Sequence, residues 1–293
     1  MEPTLRDILW LVCLPALLGA VAMLATRPWR RGRDLGGWGG ALAIAGGFAI
    51  AFYHMFSGVP PFPPVSAQQW LFFLGAAVVL VAVLQALVRS KWFAPTASAL
   101  VAGATPYLLL QKVSFLEPRP LWMWIVVGGV VMVAWWGAME LLSRRARGGT
   151  LPLLIGVIFG FSGLAIINAH SATLGQVAGS LAVPLVIIAA AAMGTRGGVV
   201  LARGGALAVA VFLLGLLLTA HFFADLPVRD LVLLAAAPLA AWAGELPKLG
   251  NPDSWKRVVV RTVAVLAILA LPAITAISGL QATLDEQYES YSY

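Results

Sequence analysis

The chain has 293 residues, of which 61% are hydrophobic and 11% charged, with a mean hydropathy of +0.92 and a net charge of +7. Soluble domains carry about 25% charged residues, so this composition excludes a water-soluble globular protein and places the chain in a bilayer. The Lys and Arg residues are dispersed between apolar runs rather than gathered on one solvated face, which excludes a nucleic-acid surface. Cys13, the one cysteine, excludes a disulfide framework, a CxxC metal pair and a CxxCH haem attachment.

A membrane-crossing helix needs about 20 mainly apolar residues. Ten stretches qualify, at 8–26, 36–57, 70–88, 92–110, 121–142, 151–169, 174–194, 204–223, 227–243 and 258–280. In the first, Arg27, Arg30, Arg31 and Arg33 follow the apolar run instead of preceding it, so a retained span is expected rather than a cleavable signal. The ninth is the weakest. It opens with Arg229 and Asp230, and its apolar core LVLLAAAPLAAWA is short, as in a tilted or re-entrant element. The expected fold is an all-α polytopic bundle of about ten transmembrane helices, one integral domain over 1–293 without a soluble domain. Residues 281–293 then form an acidic, tyrosine-rich tail, LDEQYESYSY.

Lys and Arg accumulate in cytoplasmic loops. With the N-terminus outside, only Arg6, Lys112, Arg119 and Arg229 fall on the outer side, against fifteen on the inner side. Ten crossings return the C-terminus to the outside. Arginine outnumbers lysine fifteen to four, and Ala and Gly abound, a composition that fits a GC-rich bacterial genome and hence a bacterial cytoplasmic (inner) membrane. Most tryptophans fall near predicted span ends, where amphipathic rings prefer the headgroup level, and Trp135 and Trp136 approach the inner end of the fifth span. Five plus five spans would suit an inverted repeat. However, the nearest echo, GFAIAFYH at 47–54 and GLAIINAH at 163–170, joins spans that run in the same direction.

The polar hairpin IINAHSATLGQVAGSLA at 166–182 interrupts the greasy sequence. Gly156 and Gly160 stripe the sixth span, and Ser171, Gly175 and Gly179 stripe the seventh, so two closely packed helices are expected. Asn168, Thr173 and Gln176, with Thr105 and Tyr107 from the proline-containing fourth span, are the candidate pocket residues. Pro95 and Pro106 in that span are placed to free backbone carbonyls. His54, His170 and His221 each end an outward-running span, and three imidazoles at one depth would suit Zn or Cu if they converged.

GFSG at 160–163 with the AH pair at 169–170 resembles the GxSG and AH elements of rhomboid intramembrane proteases. That chemistry needs a serine hydrogen-bonded to a histidine on another helix. Ser162 and His170 lie on one helix about 12 Å apart along its axis, and GFSG lies midway along an outward-running span. No catalytic residue and no cofactor is therefore assigned. No charged residue falls near the middle of any span, which argues against a proton-coupled carrier. Glu140, Arg203 and Arg261 lie near the inner interface, where they can snorkel.

The leading expectation is a permease for a small neutral or amphiphilic solute, with a pocket among spans two, four, six and seven. The alternative is a noncatalytic subunit that docks partners through the outer tail or the inner arginine-rich loops. An intramembrane enzyme ranks third.

Overall fold

The computed structural model describes residues 4–26, 36–88, 92–111, 113, 118–146, 148–193, 201, 204–246 and 255–290, without the side chains at 26, 36, 37, 118, 119, 280 and 282–290. Every regular element among them is helical. Inside a bilayer no water is at hand for backbone N–H and C=O groups, so the chain satisfies them within each segment.

Leu5–Ile8 (α1) opens with a capping box in which Thr4 and Asp7 bond reciprocally. It continues through a π-helical turn, Leu9–Cys13, into Leu14–Thr26 (α2). There follow Gly36–Met55 (α3), Ala67–Leu87 (α4), Phe93–Leu110 (α5), Pro118–Arg145 (α6), Thr150–Asn168 (α7), Ala172–Ser180 (α8), Ala182–Met193 (α9) and Gly204–Phe223 (α10). Val228–Ala240 (α11) runs into a 3-10 segment, Ala241–Glu245, and Trp255–Ser290 (α12) closes the chain. Among the described residues nine helical stretches are long and apolar enough to cross a membrane, with α8 and α9 counted as one. The chain is a multi-pass helical membrane protein.

These nine coincide with nine of the ten sequence stretches. The exception is 227–243, where α11 has only 13 residues before the tighter 3-10 segment takes over. At about 1.5 and 2.0 Å per residue the two together still reach roughly 30 Å, and they pack along α12. Prolines sit near helix starts, where the missing N–H is harmless, or inside helices, where it leaves a carbonyl without its helical partner. Pro95 and Pro184 each occupy the third position of a helix, whose N–H has no partner within the helix anyway. Pro95 therefore frees no carbonyl, contrary to expectation, whereas Pro106, Pro238 and Pro272 lie inside helices.

The bundle is built around α10, which is buried from Gly204 through Leu217. Phe212 stacks on Phe48 of α3 with ring centroids 4.5 Å apart. A Cβ at Gly75 would meet the Phe212 ring at 2.9 Å, and one at Gly215 would meet Leu71 at 2.7 Å. Gly40 approaches Gly205 as Phe48 approaches Phe212, so α3 and α10 run parallel and His54 and His221 end on one face. Trp124, at the start of α6, lies against His221, and Arg145, at its end, stacks on Trp242. The molecule thus has a histidine face and an arginine face. Arg27, Arg30, Arg31, Arg33, Lys91 and several other cations assigned to the inner loops lie outside the described residues, as do the final residues of the tail.

Three side chains sit differently from the sequence expectation, the first being Glu140, which is buried and paired with Arg144 and does not snorkel. Trp135 is no headgroup tryptophan: it is 4% exposed, and its indole N–H donates to the Ala235 carbonyl at 2.7 Å, next to the carbonyl that Pro238 leaves without its helical partner. Arg261 does not snorkel. It is 4% exposed and ion-paired, because Gly244 lets the 3-10 segment lie directly on α12. The close-packing glycines also differ in part. A Cβ at Gly163 would strike the Gly175 carbonyl oxygen at 2.7 Å, and one at Gly156 the Ala182 carbonyl oxygen at 3.3 Å, while Gly160 has open space.

Candidate functional site

At the histidine face, the end of α7, the loop after α10, the start of α11 and the stretch of α12 around Thr275 line a cleft of about 330 Å³. It is lined by Ala165, Asn168, Ala169 and His170, by Asp225, Pro227, Arg229 and Asp230, and by Thr275 and Ala276. Three of the walls follow from how a helix starts or ends.

The α7 helix closes with a Schellman arrangement, in which Ser171 N–H donates to Ile166 O at 3.2 Å and His170 N–H to Ile167 O at 3.1 Å. That motif needs a left-handed residue, most often glycine. Here the residue is His170, with φ 67°. Asp225 after α10 is left-handed as well, with φ 56°, and the loop beyond it is drawn back by a 2.7 Å hydrogen bond between His221 Nδ1 and Leu226 O. A left-handed non-glycine residue costs about 1–3 kcal/mol and persists where function or packing demands it. Two of the three such residues among the described ones line this cleft.

Pro227 starts α11, and Asp230 sits in its first turn, where the helix dipole favours a carboxylate. Asp230 is buried, with its Oδ1 3.3 Å from Arg229 Nε, while the Arg229 side chain is 55% exposed. Across the cleft, Asn168 Nδ2 donates to Ala276 O at 2.6 Å and Thr275 O at 3.3 Å on α12. Gly279 makes room for this, since a Cβ there would collide with the Asn168 amide. The cleft therefore combines two carboxylates, one guanidinium, an imidazole and a carboxamide. It carries partners for both ends of a small dipolar molecule, with Asp230 as its dry anchor.

Inter-helix hydrogen bonds in membranes average about 0.6 kcal/mol, with a ceiling near 1.7. Replacing Asn168 with Ala removes two at one seam. The expected result is a melting temperature lower by a few degrees in detergent, with Asn168→Asp falling further because its carboxylate would face the α12 carbonyls.

The other sequence candidates lie elsewhere. Thr105 is fully buried and donates to Val101 O at 2.8 Å within its own helix. Tyr107 is 45% exposed and stacks on Trp122. Thr173 is half-buried and Gln176 exposed on α8, and neither lines the cleft. The three histidines share a face without meeting. His54 Nε2 lies 2.8 Å from Asp7 Oδ1 and the ring stacks on Trp10, His221 holds the Leu226 loop, and only His170 lines the cleft. Among the described residues no group of three His, Cys, Asp or Glu side chains is placed to hold a metal ion. Ser162 is buried and its hydroxyl has no hydrogen-bond partner, so the GFSG segment holds no serine–histidine pair.

Taken singly, Asp225 carries no local signal in the sequence, Asp230 reads there as a charge weakening the ninth span, and Arg229 reads as that and as an outer-side cation. The available signal was DLPVRD itself, which puts two acids and a base around a proline at the mouth of an apolar helix. No family model, curated protein or solved structure matches the chain.

Proposed function

We propose that the protein is a permease-like carrier of a small solute without net charge, bound in the cleft between α7, α11 and α12. The cleft carries the reading: it is concave, mixed in charge and lined by two left-handed residues, His170 and Asp225. In this reading α11 and its 3-10 segment make a tenth crossing. The arginine face is cytoplasmic by the positive-inside rule, and both termini and the cleft are outside a bacterial inner membrane. Support also comes from the 3-10 segment that interrupts α11, an element of the same seam, because carriers use broken helices around their sites. The centre around α10 is filled, which counts against a pocket among spans two, four, six and seven, so this reading puts the pathway at the α7–α11–α12 seam instead.

The test is counterflow in liposomes holding the purified protein, with labelled glycine as the dipolar probe and glycerol as the nonionic one. Glycine exchange well above protein-free liposomes, lost in Asp230→Ala, is expected. Exchange of neither probe above the protein-free rate counts against a carrier.

The packed interior around α10 also favours a second reading, a noncatalytic membrane subunit. Copurification of a stoichiometric partner in mild detergent, together with failed counterflow, would support it over the carrier.

A further inference from the structure

The cleft marks one end of a seam whose other end is closed by buried charge. Thr150 and Asn168 stand eighteen residues apart on α7, which is five turns, so they share a helix face at a separation of roughly 27 Å. Both reach α12. Asn168 holds the Ala276 carbonyl beside the cleft, and the Thr150 hydroxyl oxygen accepts from Arg261 Nη1 at 3.2 Å on the arginine face. Val157 and Phe161 lie on that same face of α7 between them, both half-buried.

At the arginine face, Glu245 ends the 3-10 segment and bridges two cations of α12. Its Oε1 lies 2.6 Å from Arg261 Nη2 and its Oε2 3.1 Å from Arg257 Nη1. The side chains of Glu245 and Arg261 are 7% and 4% exposed. A Cβ at Gly244 would meet the Arg257 carbonyl oxygen at 2.9 Å, so backbone lies on backbone here. Along most of the bundle, helices meet through apolar side chains and glycines. Replacing a buried ion pair with packed apolar groups is often neutral or stabilising, so stability alone is a weak reason to keep one. A better-attested use is to fix one arrangement against another.

We propose that Glu245, Arg257, Arg261 and Thr150 form a clasp that shuts the arginine-face end of the α7–α11–α12 seam while its opposite end stands open at the cleft. The proposal rests on the carrier reading and supplies its second gate. Opening requires the 3-10 segment to lift from α12, with Pro238 and the Trp135–Ala235 bond holding α11 above the break. Among the described residues of that face, Arg144 pairs with Glu140 and Arg145 lies over Trp242.

The experiment uses the full chain with Cys13→Ser and a Val157→Cys reporter, labelled by a membrane-impermeant maleimide from each side in intact cells and in inverted vesicles. Glu245→Gln is expected to raise the labelling rate from the arginine face by about tenfold and to lower it from the histidine face, with Glu245→Asp restoring the parent pattern. Arg261→Lys, which keeps the charge but cannot span Glu245 and Thr150 with a planar fork, serves if Glu245→Gln aggregates on size exclusion, and the same gain is expected. An unchanged rate in a folded variant overturns the clasp. Labelling needs no solute, so the clasp and the carrier reading fail separately, the second through glycine counterflow alone.

Discussion

Replacing Gly163 with Val is expected to separate α7 from α8 and lower the melting temperature by about 6–12 °C. A Cβ at this position would lie 2.7 Å from the Gly175 carbonyl oxygen, 2.9 Å from the Gly179 nitrogen and 3.0 Å from its Cα. All three are backbone atoms, which cannot swing aside as the end of a flexible side chain would, so the helices themselves must move apart. Overpacking a well-filled site costs about 1–3 kcal/mol, and a backbone-on-backbone collision belongs at the upper end. At about 2–4 °C per kcal/mol, that sets the expected shift. Gly160 is the internal control, three residues earlier on the same helix, where a Cβ meets nothing within 4 Å. Gly160→Val is expected to stay within about 0.5 kcal/mol. Thermal scans of the two variants in one detergent check the pair, and equal shifts would remove the packing argument.

Glu245→Ala is expected to cost roughly 3–5 kcal/mol, the usual penalty for removing one partner of a buried pair. The carboxylate faces two guanidinium groups, and Arg261 has 4% exposure with which to recover water. The exposed Arg229 makes the contrast. Its side chain is 55% exposed, and Arg229→Ala leaves a single carboxylate, Asp230, beside the cleft in a helix first turn that favours it, so it is expected to cost less than Glu245→Ala. Salt separates the two further, because buried pairs are screened far less than exposed ones. The Glu245→Ala deficit should persist in concentrated salt, measured by thermal scans across a salt series. A deficit that vanishes in salt would place Glu245 at the surface.

The nine long helices were legible because apolar length is a local property, written in consecutive residues. The shared face of the three histidines was legible too, since alternating spans fix it. Their partners were not. His54 meets Asp7 from 47 positions away, and Asn168 meets Ala276 from 108, and no local pattern announces either pair. The glycine stripes show the same limit. Spacing identified small residues on α7, but which of them touches α8 depends on the rotation of one helix against the other, and Gly163 faces the seam where Gly160 does not. Arg261 looked like an interfacial cation because its position along α12 is near the end. Its burial comes from a different segment, the 3-10 turn that Gly244 allows to approach. Within the cleft, Asn168 and His170 stood out as polar residues in a greasy hairpin, whereas Asp225, Arg229 and Asp230 were hidden in the connection to a short helix.

In the proposed arrangement α11 and its 3-10 extension carry the chain from one side of the bilayer to the other, so that cleft and clasp face different compartments. Single cysteines at Asp225 and Leu246, both exposed, test this in a Cys13→Ser chain with an impermeant maleimide on intact cells. The expected result is rapid labelling of Asp225→Cys and labelling of Leu246→Cys only after the membrane is opened. Equal labelling of both from outside would put the two ends of α11 on one side and contradict the arrangement.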